Sequence, residues 1–359
     1  MIGRAATVAR QARSLVRVTR TGSRVYGASP FSVAVHARRL RTRQGYEYEE
    51  ALTEGLLDPS LSDADRALHA SRHATVEAQR RLNPEATSQL TGDKAIFYGY
   101  CAAIGLPIPE LFGVVDVRGG SGWSHTGRVV TGAAGFADFV AHDLPGESVV
   151  KPSDGYHGKG VRVLRRRGAG FTVAPTPAAL LALLRSDPEF SVHVFQERLH
   201  NHPVVAGVGG AETLHTVRIV TLVSREGECE VLYAVIKLGL AGGDTDNFRG
   251  GRGGNGLAPV DLATGALGPL KLGRPDGCGF IHVPEVPSTG ARVEGVRLPH
   301  WAQTIDLVRH ATLSFAPART LGWDVALTPA GPVLAEVNAF WWPRSGPEQG
   351  RLIERLKSA

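Results

Sequence analysis

The sequence predicts an α+β chain of two lobes after a helical N-terminal region. Three observations carry that reading. Short helical patterns are interspersed with runs of period-2 alternation, the strands follow one another across short turns as antiparallel pairs do, and residues 47–90 are helical throughout. No internal repeat is present.

In chain order, "SDADRALHASRHATVEAQRRL" reads as one helix, with Ser62 as N-cap and Asp65 three residues on. Thr91 caps a second, "GDKAIFYGYCAAI", closed by Gly105. "LPIPELFGVVDV" is an extended entry and strand, and the Gly/Ser/Thr-rich residues 117–134 read as a loop. "FADFVAH" is a short helix, "ESVVKP" a strand, "GVRVLRRR" a strand, "PAALLALLRS" a helix and "FSVHVFQERL" a strand. "LHTVRIVTLVS" and "CEVLYAVIKLGL" pair as a hairpin around "REGE", and "LAPVDLATGALG" makes a smaller one. Pro299 opens the helix "HWAQTIDLVRHATLSFA", and "GPEQGRLIERLKS" closes the chain.

The net charge of +6 is unevenly placed. Residues 1–46 hold ten arginines and no acid, which leaves 30 basic against 34 acidic residues in the body. Nucleic-acid binding by the main domain therefore has no electrostatic support. The basic segment reads as a helical extension that packs on the body or touches a membrane or acidic partner; an organellar transit peptide has similar composition. Arginines interrupt any secretory h-region, and no apolar run could span a bilayer. Cys101, Cys229 and Cys278 are odd in number and widely spaced, which fits a reducing, cytoplasmic setting.

Three stretches could carry chemistry. "VVKPSDGYHGKGVRVL" delivers Lys151 on a strand into Ser153, Gly155, His157, Gly158, Lys159 and Gly160. Glycines let backbone N–H groups approach phosphate oxygens, and the lysines add charge; a glycine hairpin with surface lysines is the competing reading. It is not a P-loop, because a strand follows and no Ser or Thr succeeds Lys159. In "WDVALTPAGPVLAEVNAFWW", counting by twos puts Asp324, Ala326, Thr328, Leu334, Glu336 and Asn338 on one face. A three-residue loop, Pro329 to Gly331, sets Asp324 opposite Glu336. Facing carboxylates repel unless they share a cation, so the trio reads as a divalent site of hard oxygens, against a solvated hairpin face. Arg218 and Lys237 lie within buried-looking strands, and Asp93-Lys94 opens a helix. "DNFRGGRGGNG" reads as a substrate- or phosphate-facing loop. His200 and His202 read as surface loop residues.

In order and spacing, "GYEYEEALTEGLLDP", "GDKAIFYGYCAAIGLPIPELFG", "VVKPSDGYHGKGV", "NFRGGRGGNGLAPVDLATG" and "LGWDVALTPAGPVLAEVN" resemble the ATP-grasp superfamily, most closely its sugar-transfer-associated branch. The resemblance spans about residues 45–345 and implies two lobes, near 91–195 and 196–359, holding ATP between them, with 47–90 a helical region and 1–46 a basic extension. It implies that Lys94, Lys151 and the 153–160 loop contact ATP phosphates. Gln196 and Glu197 would form the interlobe hinge beside adenine or ribose. Asp324, Glu336 and Asn338 would bind magnesium, and Arg218 and Lys237 would face the γ-phosphate and the transferred group, with Asn247 nearby. An arginine found in some members just before the first metal acid is absent; Trp323 stands there. The implied reaction is an ADP-forming ligation of a small-molecule carboxylate to an amine or similar nucleophile through an acyl phosphate. Glycan, polysaccharide or natural-product tailoring is the implied setting, with glycan-biosynthesis proteins as partners. A phosphotransferase acting on a hydroxyl, and a non-enzymatic ATP-binding module, remain open.

Overall fold

The computed structural model describes residues 2–156, 158–240, 242–243, 245–342 and 349–359. Its strands are β1 Leu111–Asp116, β2 Ser121–Ser124, β3 Val129–Thr131, β4 Glu147–Pro152, β5 Arg162–Arg167, β6 Gly170–Phe171 and β7 Val192–Gln196 in one sheet. The second sheet holds β8 Thr216–Val223, β9 Cys229–Leu238, β10 Gly256–Val260, β11 Leu270–Gly273, β12 Phe280–Val283, β13 Thr320–Thr328 and β14 Gly331–Asn338. The first sheet runs β3-β2-β1-β7-β4-β5-β6 and the second β12-β11-β10-β9-β8-β13-β14. Neighbouring strands are antiparallel throughout, as the sequence predicts for an α+β chain.

The helices sort by the apolar stripe each buries. In the first lobe, Phe136, Phe139 and Val140 of the helix Gly132–His142 and Leu180, Leu181 and Leu184 of Pro177–Arg185 cover Phe112, Val150 and Phe195. In the second, Trp301–Ser314 lies on the Trp323, Val325 and Leu327 face of β13, and the Trp323 indole donates to Thr312 Oγ1 at 2.9 Å. The opposite face divides along its length. At one end, helices Arg72–Leu82 and Gln349–Ser358 bury Val220, Leu222 and Trp341; at the other stand the charged residues of the site.

Several sequence expectations need correction. Ser62 forms its capping box with Asp65, but that helix ends at Ala67, and Ser71 caps a separate helix, Arg72–Leu82. Thr91 lies inside the helix Glu85–Gly92; Asp93 is the cap of Lys94–Ala103, accepting from the amides of Ala95 and Ile96. Asp outranks Thr as a cap, and the two candidates stood two residues apart. Residues 117–134 are not a loop: β2 and β3 form a hairpin there, short enough for its Gly and Ser content to hide the alternation. His202 caps a helix, Pro203–Gly209, where a loop was expected.

The closing hairpin departs from expectation at its turn. Thr328 pairs with Gly331 across a two-residue loop, and pairing runs regularly to Val325↔Leu334. A bulge at Ala335 then adds one residue to β14 and restores Asp324↔Glu336 and Gly322↔Asn338. Leu334 and Val333 consequently exchange faces: Leu334 joins the Val325 core, and Val333 sits opposite Ala326. The acidic pair faces as expected, by a different route.

Candidate active site

The centre of the site is one cross-strand row. Arg218 on β8 pairs with Asp324 on β13, which pairs with Glu336 on β14. Directly opposed side chains on one face meet. Arg218 grips Asp324 with two parallel bonds, Nε to Oδ1 at 2.7 Å and Nη2 to Oδ2 at 2.9 Å. Lys237, two residues along β9 from the row, reaches Asp324 Oδ2 at 3.1 Å and Asp246 Oδ1 at 3.5 Å. Asp246 is buried and anchored by the Thr216 amide and hydroxyl at 2.8 and 2.6 Å.

All three charges are out of water, and their mutual attraction outweighs that penalty. Burial opposes ionisation of Asp324, yet Arg218 and Lys237 hold its carboxyl well below the usual carboxylate range. Burial likewise works against Arg218 and Lys237. Asp324 nevertheless raises the first, and Asp246 with Asp324 raises the second. Both cations are fixed in the charged form.

Two further lysines approach, Lys94 from a helix start and Lys151 from the other sheet. Asp93 caps the helix that begins at Lys94 and also accepts from Ser153 Oγ at 2.6 Å, so helix start and glycine-loop start are tied together. Lys94 Nζ donates to the Gly155 carbonyl at 2.5 Å and lies 4.0 Å from Glu336 Oε1. Lys151, buried on β4, donates to the Tyr98 hydroxyl at 2.7 Å, and Tyr98 donates to the Ala335 carbonyl at 2.7 Å. Burial, then the charge of Lys94, lowers the Lys151 ammonium to about 7; Glu336 and Asp324 pull the other way. Burial and then the charge of Glu336 raise the Tyr98 phenol well above its ordinary range.

The glycine loop spans from this corner toward the second sheet. Gly158 has a positive φ of 70°, and a Cβ there would lie 2.5 Å from Thr245 Cγ2 and 2.8 Å from Asn247 Nδ2. Any side chain would push the loop off the 245–247 segment. Asn255 steadies that segment by donating to the carbonyls of Thr245 and Asn247, both at 3.0 Å. Lys159 points elsewhere: it forms an exposed ion pair with Glu189, whose other oxygen accepts from Tyr156 at 2.8 Å. Gly160 turns the chain beside Pro152. His157 lies outside the described residues. Gln196 ends β7 between Leu111 and Val149, and its buried Oε1 has no hydrogen-bond partner among the described residues. Glu197 follows, exposed, and exchanges bonds with Glu110: its amide donates to the Glu110 carbonyl at 2.8 Å and its Oε2 accepts from the Glu110 amide at 3.2 Å.

The structure therefore gathers Lys94, Lys151, Arg218, Lys237, Asp324 and Glu336, brings Gly158 against Asn247, and leaves Lys159 at the rim. Sequence reasoning missed Tyr98, Asp246 and Asn255. Tyr98 carried a signal, since it stands four residues after Lys94 and so shares its helix face. Asp246 and Asn255 act through loop contacts that no periodicity records.

The oxygen set fits a hard divalent cation. Glu336 is 35% exposed and not hydrogen-bonded to its neighbours among the described residues. Asn338 follows on the same face, and its buried Nδ2 has no partner among the described residues, leaving the amide free to turn. Asp324 Oδ1 accepts from Arg218 alone and keeps a second lone pair. These are two carboxylates and an amide; no cluster of three or more His, Cys, Asp or Glu side chains is gathered for a metal among the described residues.

Two antiparallel sheets define an α+β protein whose charged site joins the carboxylate row of the second with Lys151 of the first and Lys94 at a helix start. Residues 74–357 match the sugar-transfer-associated ATP-grasp family, and the chain belongs to that family. Among solved structures it is similar to D-alanine–D-alanine ligase from Bacillus anthracis, at 14% identity over 76% of this chain and 69% of that one, TM-score 0.40. It is similar also to N5-carboxyaminoimidazole synthase from Aspergillus clavatus, at 10% identity over 76% of this chain and 52% of that one, TM-score 0.39. A third is L-amino acid ligase from Bacillus licheniformis, at 14% identity over 70% of this chain and 41% of that one, TM-score 0.39. The chain thus spans about half the length of the last two. No curated protein matches it in sequence.

Proposed function

We propose that the chain is an ATP- and magnesium-dependent ligase that activates a small-molecule carboxylate as an acyl phosphate and joins it to an amine or similar nucleophile, in glycan or natural-product tailoring. The observation that carries the reading is the meeting of four cations, Lys94, Lys151, Arg218 and Lys237, with the facing acids Asp324 and Glu336. Transfer of a phosphoryl group demands this kind of preorganised charge, because its transition state spreads negative charge over several oxygens.

In this reading Lys94 and Lys151 take ATP phosphate oxygens in place of the Gly155 carbonyl and the Tyr98 hydroxyl that they now contact. The 153–160 loop covers the phosphates while Gly158 rests on the 245–247 segment, excluding water from a hydrolysable intermediate. Gln196 and Glu197 lie where the chain passes between the sheets and stand beside adenine or ribose. Glu336, Asn338 and Asp324 would hold magnesium, which when bound neutralises charge on phosphate oxygens. The substrate carboxylate oxygen attacks the γ-phosphorus and ADP departs with the bridging oxygen. The nucleophile then attacks the acyl carbon, phosphate leaves, and the amine gives up a proton. Arg218 and Lys237, locked in the charged state by Asp324, stabilise the oxyanion of that second step.

The test is ADP and phosphate release across a panel of acids and amines, with positional isotope exchange in ATP when the acid alone is present. Release that needs both substrates, and exchange that needs the acid, support the ligase. A stable phosphorylated product formed without an amine overturns it in favour of phosphoryl transfer to a hydroxyl.

A further inference from the structure

The N-terminal helices carry a surface that phosphoryl chemistry does not use. Ile2–Tyr26 and Pro30–Gln44 form an antiparallel pair whose inner stripe, Val18, Val33, Ala37 and Leu40, is buried against Tyr46, Leu52, Leu56 and Leu57. Arg17 to Glu49 and Arg41 to Glu47, both at 2.7 Å, clasp the pair to the following helix. The pair is part of the folded body, so its outer side is a defined surface.

That outer side combines two properties that water does not favour together. Phe31 is 79% exposed and Val35, one turn on, 48%; Val16 on the neighbouring helix is 60% exposed between Arg13 and Arg20. Large apolar groups at that exposure, rimmed by charged residues, mark an interaction surface. The stripe of the second helix runs Phe31, Val35, Arg39, Arg43 at intervals of four residues, so apolar side chains lead directly into cations. Arg39 and Arg43, with His36 and Arg66, line a cavity of about 200 Å³ whose one acid is Asp63. Arg66 spends its N–H groups on the carbonyls of Leu56, Leu61 and Asp58, and Arg39 pairs with Asp63 at 3.0 Å. Arg43 forms no ion pair among the described residues, nor do Arg10, Arg13, Arg20 and Arg38.

We propose that this face docks the protein peripherally on an anionic lipid bilayer. Phe31 and Val35 enter the headgroup–acyl boundary, the flanking arginines meet lipid phosphates, and the cavity beside Arg39 and Arg43 receives one phosphate headgroup. A bilayer accounts for both halves of the surface: arginines alone would suit any soluble polyanion, but Phe31 and Val35 need an apolar phase. No helix of the described residues is long and apolar enough to cross a membrane, so the attachment is to one surface.

The test is co-sedimentation of the full chain with vesicles of phosphatidylcholine, with and without a quarter of phosphatidylglycerol. Binding is expected on the anionic vesicles only. The double variant Phe31→Ser/Val35→Ser weakens it by about tenfold, and Arg39→Gln/Arg43→Gln by about tenfold; circular dichroism of both stays as in the parent, since these side chains are exposed. Failure to sediment with anionic vesicles, or equal sedimentation with phosphatidylcholine alone, overturns the proposal. So does binding that heparin abolishes and that the Phe31/Val35 variant leaves unchanged, which would identify a soluble-polyanion surface.

Discussion

Lys151 and Lys237 are both buried lysines in one site, yet their electrostatic states are opposite. Lys237 sits between Asp246 and Asp324, and the two carboxylates hold its charge firmly. Lys151 touches a phenol, has Lys94 as a cationic neighbour, and titrates near 7. The second sheet carries its own counter-charge and is complete as folded; Lys151 of the first is held only by a neutral oxygen. The contrast separates fixed electrostatics from charge that waits for an anion.

The largest way to break it is Asp324→Ala. Buried Arg218 would lose its partner and Lys237 one of its two, which should lower stability by about 3–5 kcal/mol and abolish turnover, read by urea unfolding and ADP release. The depressed Asp324 carboxyl has its stabilising effect in full at neutral pH, and acidification removes it only below the ordinary carboxylate range. Lys151→Met should behave in the reverse sense. Nucleotide affinity should fall by about tenfold to a hundredfold, measured by calorimetry, with no loss of stability without nucleotide. Between about pH 7 and 10.5 the folded state binds fewer protons at Lys151 than the unfolded state does. Stability from this group therefore rises with pH across that window, and Lys151→Met should remove that slope. Nucleotide binding should also recharge the lysine, taking up close to one proton at about pH 8 and almost none at about pH 5.5; calorimetry in buffers of different ionisation enthalpy reads this directly. Glu336→Gln should change stability by less than about 1 kcal/mol, because the group is partly exposed and 4.0 Å from Lys94, while turnover falls and its magnesium requirement rises.

Within the second sheet β8, β9, β13 and β14 were legible in the sequence, because strands of 8 to 10 residues let period-2 alternation stand out and a hairpin constrains its own register; β11 and β12, four residues each, were too short to show it. The meeting of Lys94 with Glu336 was not legible, because it depends on how a helix start and a strand from distant parts of the chain approach. Resemblance implied only that both residues face the same ATP; periodicity implied nothing of it. Lys159 shows the limit from the other side: a lysine in a glycine loop looks like a phosphate ligand, yet a glutamate thirty residues on claims it. At the turn, two local features, a shorter loop and a bulge, offset each other, so the facing acids were correctly read from an incorrect path.

That bulge has a consequence in the language of deletions. Losing one residue from a strand ordinarily sends everything beyond it to the other side. Ala335 is an exception, because it is the surplus residue: without it, Leu334 would still oppose Val325 and Glu336 would still oppose Asp324. What would go missing is the carbonyl that Tyr98 holds, and with it the support beneath Lys151. A one-codon loss there would leave the acids of the second sheet in place and unseat a lysine of the first.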